Sequence, residues 1–171
     1  MKFSNFPILI PAFTAKIPID NPLTITSELV NIPFLPHRGN LTSEPSYPYP
    51  LRATFIHGSD YLSRDRNGQH VKLSVQSTAR DEITGALLRF AYSGVVTLSG
   101  ETGKVIAGDK NATTTDFGNA FVDVKFETDN PDLEPIENKV YVGSGRFIVE
   151  KDEPIIVEYK ISEVAAAPCG E

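Results

Sequence analysis

Two runs, VKLSVQSTA and FVDVKFET, constrain this chain more than any other feature of it. In the first, Val71, Leu73 and Val75 fall on one side of an extended backbone, with Lys72, Ser74 and Gln76 on the other. In the second, Val122, Val124 and Phe126 oppose Asp123, Lys125 and Glu127. Alternation of period two over β-rich residues marks a strand with one buried face. Six further segments carry strand signals: FPILIPAFTAKI, LTITSELVNI, YPLRATFIHG, GALLRFAYSGVVTL, NKVYVGSGRFIVE and PIIVEYKISEV. Gly94 is expected at a bulge or sharp bend, and KDE, between the last two segments, reads as a charged hairpin turn. No long window shows an apolar stripe at helical spacing, and thirteen prolines are scattered along the chain. The expectation is an all-β fold of about eight short antiparallel strands, a sandwich or a barrel. A closed barrel leaves no exposed edge, which suits strands this apolar.

The 171 residues fit one domain over 1–171, with less certain strands before residue 50, PSYPYP at 45–50 as a rigid connector and 165–171 as a flexible tail. A net charge of −6 opposes nucleic acid as a partner, because phosphates would be repelled. The single cysteine, Cys169, cannot close an intramolecular disulfide. Pro7 and Pro11 interrupt the N-terminal apolar run, unlike a signal peptide, and no stretch approaches the length of a membrane span. These features point to a cytoplasmic protein with no membrane partner.

Strong catalytic motifs are absent from the sequence. The Gly-x-Gly of VGSGRF lies inside a strand, where it cannot serve as a dinucleotide fingerprint. His37, His57 and His70 share no ligand spacing, so neither a metal nor a cofactor is expected. General acid–base chemistry asks for less: one or two titratable groups in a dry cavity. His57, Asp60 and Tyr61 fall within five residues at the expected end of a strand. Asp60 either takes part in proton transfer or caps backbone amides beside a rim-packed Tyr61. Glu127 either faces solvent or turns into the lumen against Arg146. Arg89, in a row with Leu87 and Ala91, is a candidate anion or enolate contact or a snorkelling side chain. Tyr92 shares the opposite face with Leu88 and Phe90, as core or cavity lining. Asn138 is a binding candidate or a satisfier of loop amides.

HGSDYLSRDRNGQHVKLSV, TGALLRFAYSGV, FETDNPDLEPIENKVYVGSGRF and IIVEYKISEV together resemble the domain-of-unknown-function family 3237. The family's characteristic segments correspond here to Ser59-Asp60-Tyr61, Thr84-Gly85, Phe126-Glu127-Thr128 and Ile136-Glu137-Asn138. The chain departs from the bacterial pattern at PSYPYP, at His57, and at Ser74 and Gln76. The resemblance implies a single small antiparallel barrel, lipocalin-like or allene-oxide-cyclase-like, with an internal cavity. For a fungal-like secondary-metabolism member it implies a cofactor-independent isomerase or cyclase acting on a small phenolic or polyketide-like metabolite. The expected chemistry is substrate folding plus proton transfer, as in intramolecular addition of a hydroxyl to an enone. In that reading His57, Asp60 and Glu127 are the catalytic candidates, and Tyr61, Arg89, Tyr92, Asn138 and Arg146 are the substrate-binding ones. The alternatives are a non-catalytic carrier of an apolar or phenolic metabolite, or a homodimer-forming module whose interior is filled.

Overall fold

The computed structural model describes residues 5–168. Its strands are β1 (Ile8–Pro18), β2 (Leu23–Thr24), β3 (Leu29–Pro33), β4 (Asn40–Ser43), β5 (Arg52–Arg64), β6 (His70–Asp81), β7 (Leu87–Thr97), β8 (Ala120–Thr128), β9 (Val140–Ile148) and β10 (Ile156–Ala165). Eight of them close an antiparallel barrel: β5 to β10 pair in sequence, β10 pairs with β1, and β4 links β1 back to β5. The expected all-β barrel is therefore the fold of this protein, but one of its staves differs. LTITSELVNI forms the β2–β3 hairpin, which pairs alongside the far half of β5. The remaining stave is β4, four residues with Leu41 as its only buried side chain, too short to show a period.

The alternating runs place their apolar faces inward. Val71, Val75, Val122, Val124 and Phe126 are buried, while Lys72, Asp123, Lys125 and Glu127 face out. Strand β5 changes sides part-way along. Its register against β6 shifts between Phe55 and His57, so Ile56 is the additional residue of a β-bulge. Ala53 and Phe55 point inward before the bulge, and Leu62 points inward after it. Because side chains alternate with period two, one inserted residue exchanges the faces of everything beyond it. Asp60 thereby joins the lumen side opposite Val75, while His57 and Tyr61 turn outward. At Gly94 the ladders to β6 and β8 continue without a shift, so the expected bulge is absent. The glycine serves close approach instead: a Cβ there would lie 2.1 Å from the Phe121 carbonyl oxygen.

One half of the lumen is solid. The Phe126 ring lies 5.2 Å from those of Phe13 and Tyr141 and 5.5 Å from that of Phe90. Each such ring contributes roughly 2–3 kcal/mol by leaving water. The β8–β9 connection closes this end with a 3₁₀ turn (Pro131–Leu133) and the short helix α2 (Glu134–Glu137), burying Leu133 and Ile136. PSYPYP does more than connect: Tyr47 is buried, and its hydroxyl meets Tyr141 at 2.7 Å and Glu163 at 2.5 Å. Lys139 completes this network on the other Glu163 oxygen at 3.0 Å. The other helix, α1 (Gly100–Ile106), buries only Thr102 and Val105, too few positions to give the sequence a helical stripe.

Candidate active site in the open half of the barrel

Opposite the aromatic plug the lumen opens into a cavity of about 520 Å³. Phe34, Leu62, Leu73, Phe147 and Val157 form apolar walls, and the mouth lies between the β2–β3 hairpin, the segment following α1 and the β9–β10 turn. Among the described residues three polar side chains line the interior: Asp60 from β5, Tyr92 from β7 and Tyr159 from β10. Asp60 arrives there through the Ile56 bulge, Tyr92 through the uninterrupted alternation of β7. Tyr159 sits opposite Gly145 across the β9–β10 ladder, where an added Cβ would lie 2.5 Å from its Cε1. Glycine at 145 is what leaves room for the phenol ring.

The rings of Tyr92 and Tyr159 meet edge to face with centroids 4.8 Å apart. Burial raises Tyr92 well above the ordinary phenol range, and the neighbouring Tyr159 and Asp60 add to the shift. Burial likewise raises Tyr159, partly offset by its hydrogen bond with Tyr92. Both phenols therefore stay protonated, and with one hydroxyl bonded to the other the pair leaves one O–H free to donate. Burial pushes the Asp60 carboxyl up to about 6, although the Ser74 amide donates to its Oδ1 at 3.0 Å and pulls the other way. A carboxyl poised there exchanges protons readily near neutral pH.

A family model matches residues 7–164, nearly the whole chain. The chain belongs to the family of proteins of unknown function DUF3237. No curated protein sequence matches it. Among solved structures, this DUF3237 member is similar to a conserved protein of unknown function from Rhodopseudomonas palustris, with a TM-score of 0.74 and 17% identity over 96% of this chain and 99% of that one. It is also similar to a β-barrel-like protein from Acinetobacter baumannii, with a TM-score of 0.64 and 21% identity over 92% and 96% of the two chains. An enzyme from Penicillium herquei aligns with a TM-score of 0.54 and 14% identity over 96% and 98%. At these identities the shared property is the barrel.

Of the residues singled out in the sequence, the fold brings Asp60 and Tyr92 together inside the cavity. His57 and Tyr61 are exposed on the outer wall, on the far side of their strand from Asp60. Of the two alternatives for Glu127, the solvent-facing one holds, and its carboxylate does not pair with Arg146. Glu127 accepts from Arg89 at 2.6 Å across the outer β7–β8 ladder, and Gln76 accepts from the same arginine at 2.8 Å. Arg146 donates to the buried Glu158 at 2.7 Å and covers the Phe117 ring, with 5.0 Å to its centroid. Asn138 caps α2, in the connection closing the plugged end. His70 pairs with Asp65 at 2.8 Å, and among the described residues no three His, Cys, Asp or Glu side chains form a metal-sized group. Cys169 lies outside the described residues. Sequence reasoning missed Tyr159 altogether. Its signal was present in VEYKI, where Tyr159 alternates with Glu158 and Lys160 and faces Gly145 of VGSGRF.

Proposed function

We propose that this barrel is a cofactor-independent isomerase or cyclase acting on a small phenolic or polyketide-like metabolite. The observation that carries the reading is one half-buried carboxyl, raised to about 6, sharing a largely apolar cavity with two protonated phenols. Apolar walls orient a folded substrate, so that part of the rate comes from holding reacting groups together. Asp60 in its ionised form takes a proton from a substrate hydroxyl. When that oxygen adds to the β-carbon of an enone, the developing enolate oxygen lies against the free O–H of the phenol pair. Asp60 then returns the proton to the α-carbon, and no atom is gained or lost. The support for an enzyme is the site's chemistry; the Penicillium herquei enzyme shares the barrel and lends the reading plausibility only at that level. In the same proposal the partner is a small apolar or phenolic molecule rather than nucleic acid or membrane, and the protein acts in the cytoplasm. Among the described residues no helix is long and apolar enough to cross a membrane.

A carrier that shields an apolar metabolite is the second reading, favoured by the same apolar walls. Incubation with hydroxy-enone substrates, followed by chiral chromatography, separates the two. An enzyme gives accelerated ring closure with an enantiomeric excess that Asp60→Asn abolishes. Binding without faster closure leaves the carrier.

A further inference from the structure

We propose that the cavity is selective by charge: it takes uncharged ligands presenting an acceptor oxygen, such as an aryl ketone, and rejects carboxylates, phosphates and other anions. This deepens the reading of the same site by naming the class of molecule it admits, and it concerns binding alone.

Three observations converge on it. Asp60 stands in the lining with a backbone amide as its partner rather than a cation. Among the described residues the basic groups lining the cavity are Arg64 and Lys110, both exposed. Arg64 lies on the same strand as Asp60 but four residues further, a separation of roughly 13 Å along an extended backbone. An anion reaching the phenols would therefore meet a carboxylate in a low-dielectric space with no counter-charge near it among the described residues. The mouth repeats the same sign. Asp20, Glu28, Asp109 and Glu153 stand there against those two bases, so approaching anions are repelled and neutral molecules are not. Finally, Tyr92 and Tyr159 hold their hydroxyl protons and, with one hydroxyl bonded to the other, leave a donor that a ketone oxygen, but not an ammonium group, can use.

Four probes with one ring system test this in the intact protein at pH 7: 2-acetonaphthone, 2-naphthoate, 2-naphthylmethylammonium and naphthalene. Affinities are read by calorimetry or protein-detected NMR. Acetonaphthone should bind at least tenfold more tightly than naphthoate, and more tightly than naphthalene or the ammonium probe. Asp60→Asn should narrow the gap to naphthoate to less than threefold, with thermal melting confirming that the variant is folded. Tyr159→Phe should reduce the preference for acetonaphthone over naphthalene, and Tyr92→Phe combined with Tyr159→Phe should remove it. Tightest binding of naphthoate overturns the proposal, as does tightest binding of the ammonium probe, which would make Asp60 a counter-ion site. Equal binding of ketone and hydrocarbon removes the acceptor requirement, and no binding of any probe at millimolar concentration removes the ligand cavity. The two failures are distinct: wrong charge preference leaves proton transfer by Asp60 untouched, whereas absent turnover leaves charge selection standing.

Discussion

Asp60 and Tyr159 belong to strands almost a hundred residues apart in the chain, yet they face one cavity and Asp60 contributes to the raised phenol pKa of Tyr159. Together with Tyr92 they form a polar group inside an apolar space, with the carboxyl held well above its ordinary range. That arrangement disfavours the ionised protein, so stability and chemistry pull in opposite directions here.

Replacing Asp60 by Asn should therefore stabilise the protein at alkaline pH while abolishing turnover. A carboxyl whose folded pKa is raised binds its proton more tightly in the native state. Its contribution is fully present below the unfolded value and is lost as pH rises through about 6. Urea unfolding at pH 8 should find Asp60→Asn more stable than the natural protein by about 1–3 kcal/mol. At pH 4 the difference should largely vanish. An Asn variant that is less stable at pH 8 would show that the cavity-lining carboxylate has a partner that compensates it.

Gly145→Ala tests how the phenol is seated. The new methyl group would lie 2.5 Å from Tyr159 Cε1 and 2.8 Å from its Cδ1, so the ring must shift. Overpacking of this kind costs about 1–3 kcal/mol, and ligand affinity should fall with it. Gly68→Ala is a useful reference, because nothing lies within 4 Å of its added Cβ and the cost there is backbone strain alone at a φ of 70°. Unchanged affinity in Gly145→Ala would mean that Tyr159 has no part in the site.

His57→Ala and Glu127→Gln should leave turnover within twofold of the natural protein. His57 is exposed on the outer wall, and Glu127 lies in an exposed pair with Arg89, an interaction of the kind that contributes roughly 0–1 kcal/mol. Steady-state kinetics on both variants beside Asp60→Asn decide which carboxyl or imidazole moves the proton. A tenfold loss in either outer-wall variant would relocate the chemistry.

Tyr47→Phe should weaken the plugged end without altering the cavity. It removes the hydroxyl that meets both Tyr141 and Glu163, and denaturant unfolding should register a loss of about 1–2 kcal/mol. Desolvation raises Glu163, but the Tyr47 and Lys139 hydrogen bonds outweigh it and hold the carboxylate below its ordinary range. Its contribution is therefore present at neutral pH and is lost as pH falls through the folded value. The variant should accordingly show a smaller stability loss on acidification than the natural protein. A pH dependence identical to that of the natural protein would mean that Tyr47 does not couple to Glu163.

The amino-acid sequence by itself determined the strands and, where alternation is unbroken, their inner faces. Val71, Val75, Val122, Val124 and Phe126 are buried as their spacing requires, and Tyr92 follows from the same rule on β7. Tertiary structure decided what lies across each strand and which parity applies after a bulge. One extra residue at Ile56 puts Asp60 inside and His57 outside, although no local pattern announces the shift. Closure set the partners of Glu127 and Arg146, joined Tyr159 to Gly145, and recruited Asn40–Ser43 as the last stave. The reason is physical: alternation is a property of one strand, legible in a few residues. Register and closure are properties of pairs of strands far apart in the chain, fixed when the whole sheet wraps around its aromatic plug.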